Sequence, residues 1–161
     1  MFSYIQPYNF TISLIFILAL NQNVIANAPY ISEIVAANDN SLRDNFDEST
    51  DWIEIFNPDE KPLNLDGWGL SDNPDTPLKW IFPHIEIEPK GFLLVHASGN
   101  NISEKGKPLH ASFRLSRSGE FLGLSNPNGE FIDKFDPNFP SGNEDNAYGV
   151  PMMGELEEII P

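Results

Sequence analysis

The sequence predicts an all-β sandwich. Short runs rich in β-branched and aromatic residues alternate in polarity, as in Trp52-Ile-Glu-Ile-Phe56 and Ile85-Glu-Ile-Glu88, which is the period-two pattern of a half-buried strand. Gly, Pro, Asn and Asp cluster between these runs at intervals of roughly 8–12 residues. No segment carries an apolar stripe at helical spacing.

The elements follow in order. Tyr30-Ile-Ser-Glu-Ile-Val-Ala-Ala37 is the first strand, entered from Pro29, which holds the preceding residue extended. Asn38 to Thr50 is polar and aperiodic, hence a loop. Asp51 to Pro58 and Leu63 to Asp72 both alternate and are separated by Asp59-Glu-Lys61 and Pro62. That spacing predicts a central β-hairpin with Ile53, Ile55, Leu65 and Trp68 in the core. Asp66-Gly67 marks a turn or bulge within the second arm. Leu78–Phe82 and Ile85–Glu88 are short strands, and Gly91–Ala97, apolar on both faces, suits the middle of a sheet. Ala111–Leu115 alternates, with Phe113 and Leu115 inward and Arg114 outward. Glu120–Ser125 and Glu130–Phe135 flank Asn126-Pro-Asn-Gly129, the strongest turn signal in the chain. Ala147–Val150 reads as a last short strand, and 151–161 as a tail too short for a stable isolated helix.

Composition narrows the function. The 161 residues include 24 acidic and 9 basic side chains, a formal charge of −15, with none of the charges in residues 1–28. An acidic surface repels phosphate backbones and anionic lipid, so nucleic acid and membrane surfaces are disfavoured. Cysteine is absent, which removes disulfides, thiolate metal sites and a cysteine nucleophile. Residues 1–28 read as a signal peptide. Ile12 to Leu20 is apolar but short for a bilayer span, and Ala26-Asn-Ala28 places small residues where a signal peptidase cuts. The leader lacks the usual Lys or Arg. The expected division is therefore 1–28 leader, 29–150 sandwich, 151–161 tail, with no membrane span after cleavage.

Chemistry-bearing residues form no recognisable constellation in the sequence. Asp39, Asp44, Asp47, Glu48 and Asp51 put five carboxylates within thirteen residues, but without the spacing or closing glutamate of a calcium loop. His84, His96 and His110 lie on three segments without HxH or HExxH spacing. Ser98 falls near His96, but no G-x-S-x-G surrounds it, and the proximity reads as chance. Trp52, Trp68 and Trp80 could stack on a sugar, although each sits among aliphatics in a strand, so at least two read as core. Asn101-Ile-Ser103 matches a glycosylation sequon. No catalytic, cofactor or metal residue is assigned.

Taken together, Asp51-Trp-Ile-Glu-Ile-Phe-Asn57, Leu65-Asp-Gly-Trp-Gly-Leu-Ser71, Trp80-Ile-Phe-Pro83, Ile87-Glu-Pro-Lys-Gly-Phe92 and Gly119 to Glu130 resemble the lamin-tail domain, in its exported bacterial type. Phe139-Pro140 and Asn146-Ala-Tyr-Gly149 resemble the segment that often closes it. The resemblance covers about residues 29–150 and implies an immunoglobulin-like β-sandwich. No heptad rod precedes the domain, which argues against a filament subunit. The resemblance also implies a secreted or cell-surface module that mediates interaction or attachment without catalysis. Its partner would be a protein or glycan, and its oligomeric state stays open. The alternative is a carbohydrate-binding accessory module of an extracellular enzyme, separated from its catalytic partner.

Overall fold

The computed structural model describes residues 28–142 and 144–149. The leader, Ala28 apart, Val150 at the expected end of the last strand, and the tail 151–161 lie outside the described residues. Eleven strands and no helix occur within them: β1 Tyr30–Val35, β2 Trp52–Phe56, β3 Leu63–Asn64, β4 Gly69–Ser71, β5 Trp80–Ile81, β6 Glu86–Ile87, β7 Phe92–His96, β8 Leu109–His110, β9 Leu122–Ser125, β10 Phe131–Phe135 and β11 Tyr148–Gly149. One sheet has the order β11-β1-β2-β7-β8, a second β10-β9-β4-β5, and β3 pairs with β6. All pairings are antiparallel except β7 with β8. This is an immunoglobulin-like β-sandwich.

The core lies between the two larger sheets. Ile31, Ile34, Ile53, Ile55 and Val95 face inward from the first, and Leu70, Trp80, Leu122 and Leu124 from the second. Their alternation with outward residues is the pleat read from the sequence. A bulge between Ile31 and Glu33 leaves the Ile31 N–H free of the β1 ladder, and Asp133 Oδ2 on edge strand β10 accepts it at 2.8 Å. That bond ties the edge of one sheet to the other.

The expected central hairpin does not form. β2 pairs with β1 and β7, whereas β3 pairs with β6, and β4 with β5 and β9. Segment 57–62 is a crossover between sheets. Pro58 and Pro62 cannot donate to a hairpin ladder. The buried Asn57 side chain donates from Nδ2 to the carbonyls of Lys61 (2.9 Å), Ile87 (3.0 Å) and Glu88 (3.1 Å), fastening the chain against β6 instead. Trp68 is also displaced from its expected place. Gly67 at φ 77° closes a turn, with Trp68 N–H on the Leu65 carbonyl at 3.0 Å. The indole therefore flanks the core, only partly buried, while Leu65 and Leu70 are fully enclosed.

Other expectations meet the structure closely. β9 and β10 form the hairpin around 126–129, with Gly129 at φ 79° and Asn126 Oδ1 accepting the N–H groups of Asn128 and Glu130. β7 sits between β2 and β8, although Phe92 at its start is 51 % exposed. Residues 111–115 form no ladder beyond a single bridge from Arg114 to Ser98. Phe113 and Leu115 are nevertheless buried and Arg114 exposed, as their alternation predicts.

Candidate functional site

Two of the three histidines meet on the outer face of the five-stranded sheet. Val95 and Leu109 turn into the core, so His96 and His110, next along each strand, turn outward. The parallel register of β7 and β8 sets the two side by side, with ring centroids 5.0 Å apart and planes 25° from parallel. An outer face is normally wet, yet both are buried. Segment 38–50 lies over them.

That segment is held by its own polar groups. The Asn38 amide donates to the Thr50 carbonyl (2.8 Å), and its Oδ1 accepts the Ser41 N–H and hydroxyl. Asp44 Oδ1 accepts the N–H groups of Phe46 (2.8 Å) and Glu48 (3.0 Å), which lets Asp47 take φ 62° at the tip of the turn. Asp51 accepts the Asn38 N–H at 3.2 Å. Thr50 Oγ1 lies 3.0 Å from His96 Nδ1, Asn45 Oδ1 lies 2.7 Å from His110 Nε2, and the Phe46 ring packs 5.5 Å from His110.

The network fixes the tautomer of His110. Ser98 Oγ accepts the Asn100 N–H at 3.2 Å and lies 2.9 Å from His110 Nδ1. Its own proton is therefore free to be donated to Nδ1, which leaves the imidazole proton on Nε2, where Asn45 Oδ1 accepts it. Beside Ser98 opens a polar cavity of about 380 Å³, lined by Glu48, Ser49, Thr50, Asp51, Ala97, Ser98 and Arg114. Arg114 Nε–H donates to the Ser98 carbonyl at 2.9 Å.

Burial sets the protonation of the site. It lowers the pKa of both histidines; His110 lowers that of His96 further, and the Asp44 carboxylate opposes both shifts. Burial raises Asp51, offset in part by the N–H groups of Asn38 and Leu115 and by Arg114. Elsewhere Glu33, Glu120 and Asp133 are also raised, chiefly by burial. Histidines with a depressed folded pKa bind protons more readily when unfolded. Their stabilising effect is complete above the ordinary value of 6.5 and is lost as pH falls below it toward the folded values. The raised carboxylates have the opposite sign. Their destabilising charge is present above the folded pKa and is relieved as pH falls through it. The histidines are expected to lower the urea midpoint between pH 7.5 and 5.5, and His96→Gln should reduce that drop.

The remaining candidates fall elsewhere. His84 is exposed, with Nδ1 3.8 Å from Asp66. Trp80 is in the core, Trp68 at its margin, and Trp52 on the outer face opposite His96. The three indoles share no surface, and one of them, not two, is fully buried. Among the described residues no three His, Asp or Glu side chains are grouped to hold a metal ion. Asp44 and Asp51 spend oxygens on backbone N–H groups, and Asp145 holds the N–H groups of Asp39 and Asn40. Calcium titration calorimetry on the chain is expected to show binding no tighter than about millimolar. Micromolar binding lost in Asp47→Ala would contradict this.

The reading of the histidines as scattered is corrected here: His96, His110, Ser98, Thr50 and Asn45 form one network. One signal for it was present. His96 and Ser98, two apart on an extended chain, share a face. The pairing with His110 depends on a parallel crossover, which local spacing does not encode.

A family profile described as Lamin Tail Domain matches residues 26–138, spanning both sheets and every residue of the histidine network. The chain belongs to the lamin tail domain family. No curated protein gives a match. The family is one of non-enzymatic immunoglobulin-like domains, and the β-sandwich described above is that fold. In this lamin tail domain β11 extends the sandwich past the matched residues by pairing with β1 through Glu33 and Ile34.

Proposed function

We propose that this lamin tail domain is exported and acts outside the cell or at its surface as a non-catalytic module for interaction or attachment. The carrying observation is the contrast between core and loop. Aliphatic and aromatic side chains are spent between the sheets, whereas segment 38–51 lies over the outer sheet face with Phe46 53 % exposed among carboxylates. Loops presented by a rigid sandwich are the usual recognition surfaces of such folds. The charge of −15 favours a neutral or basic protein or glycan, and a basic partner would associate more slowly as salt is added. Export is supported by the apolar run and Ala26-Asn-Ala28.

The full chain, expressed with its leader, tests both parts. Intact mass of the exported form is expected to begin at Pro29, and full-length protein confined to the cytosol would refute export. A partner captured from a cell-envelope extract, or a glycan bound on an array, should be lost in Phe46→Asp. Binding indifferent to Phe46→Asp would move the interaction to another face.

One observation favours a second reading, a small serine hydrolase. Ser98, His110 and Asn45 stand as nucleophile, base and orienting group, at 2.9 and 2.7 Å, beside a cavity. Against it, the Ser98 hydroxyl already caps the Asn100 N–H in the turn. Labelling by a fluorophosphonate probe that disappears in Ser98→Ala would establish the hydrolase; an unlabelled, folded chain would retire it.

A further inference from the structure

We propose that segment 38–50 is a flap, held over the outer sheet face by the stacked His96–His110 pair while both rings are neutral and released when both carry protons. The inference concerns the chain alone and does not depend on which partner it meets.

The geometry carries it in three steps. First, the flap is fastened to the sheet through the imidazoles themselves: Thr50 Oγ1 to His96 Nδ1 at 3.0 Å, and Asn45 Oδ1 to His110 Nε2 at 2.7 Å, with Phe46 over His110. Second, His110 Nδ1 accepts from the Ser98 hydroxyl, whose oxygen also accepts the Asn100 N–H. A proton on Nδ1 puts a donor where that hydroxyl's own proton points, so the hydroxyl proton must turn away and that donated bond is lost. Third, two imidazolium rings 5.0 Å apart and shielded from water repel.

The charges around the pair decide how far this goes. Asp44, on the flap, is the carboxylate that acts on both rings. Its Oδ2 is buried without a hydrogen-bond partner. From the sheet side His96 meets uncharged Trp52, and His110 meets Ser98, whose carbonyl holds the Arg114 guanidinium. Glu48 and Asp51 line the adjoining cavity. One buried carboxylate offsets one imidazolium. The second proton has no buried counter-charge in this set, and moving the flap into water is the release available to it.

Release would uncover both rings and would open the cavity wall formed by Glu48 to Thr50. The pair would then act as a latch on the loop proposed to carry recognition.

Amide hydrogen exchange on the full chain tests the latch. The N–H groups of Phe46 and Glu48, held by Asp44, report the flap, and those of Ile53 and Val95 report the sheet. Between pH 7.5 and 5.0 the flap protection factors are expected to fall by about tenfold or more while the sheet holds. Asp44→Asn keeps the Oδ1 acceptor but removes the offsetting charge, and should shift the release to higher pH. His96→Gln should shrink the fall to about threefold or less, since one ring remains. Unchanged flap protection at pH 5.0 would overturn the proposal. So would simultaneous loss at Ile53 and Val95, or release in Asp44→Asn at the wild-type pH. Should His96→Gln fail to fold, the wild-type profile and Asp44→Asn decide it.

Discussion

Replacing Trp80 by alanine is expected to lower the unfolding free energy by about 3–5 kcal/mol. Trp80 is 2 % exposed, the largest of the fully buried side chains, and its ring meets Phe82 edge-on at 4.8 Å. It enters the core from β5, a two-residue edge strand with little ladder of its own. Its removal leaves a large void beside Leu70 and Phe82 and takes away the main reason for β5 to join the sheet. A loss of this size is a large share of the stability of a domain held without disulfides. Urea unfolding of wild type and variant measures it. Trp52→Ala, on the outer face, should cost less. Equal midpoints for wild type and Trp80→Ala would mean that the two sheets do not pack as described.

Much of this architecture is written in local pattern. The β9–β10 hairpin needs only Asn126 and Gly129 at its corner and alternation on either side. The inward Phe113 and Leu115 with outward Arg114 follow from period two alone, even where no ladder forms. Lamin-tail membership was legible for the same reason: its motifs are fold-forming stretches in a fixed order.

What local pattern does not encode is which strand pairs with which. Trp52–Phe56 and Leu63–Ser71 both alternate, and a three-residue polar spacer suits a hairpin as well as a change of sheet. The choice is made by distant groups, the carbonyls of Ile87 and Glu88 waiting for Asn57. The histidine network was hidden in the same way. Residues 45, 50, 96, 98 and 110 come together only after β8 is laid parallel to β7 and the flap folds back. Gly119 shows a third limit. At φ 82°, a Cβ there would collide with the Phe139 carbonyl oxygen. That close approach exists only once the segment after β10 returns.

The crossover at Asn57 yields the second large effect. Asn57→Ala is expected to cost about 3 kcal/mol, because it removes at once a buried amide that binds three carbonyls and one N–H. The two protons of Nδ2 are shared among the carbonyls of Lys61, Ile87 and Glu88, and Oδ1 accepts the Asp59 N–H at 3.0 Å. The side chain is 1 % exposed, so water does not readily take over. The rank order of substitutions is the sharper check. Asn57→Asp is nearly the same size, but at neutral pH it turns a second carboxylate oxygen, without a proton, toward three carbonyls. It should be worse than alanine, by desolvation and by repulsion of like dipoles. Lowering the pH protonates that carboxyl and returns one donor, so Asn57→Asp alone should regain part of its deficit in acid, measured against wild type at each pH. Urea midpoints at pH 7.5 and 4.5 for wild type, Ala and Asp give the comparison. An Asp variant as stable as wild type at pH 7.5 would show that the Nδ2 bonds do not hold the crossover. The turn between the sheets would then be fixed by Pro58 and Pro62 alone.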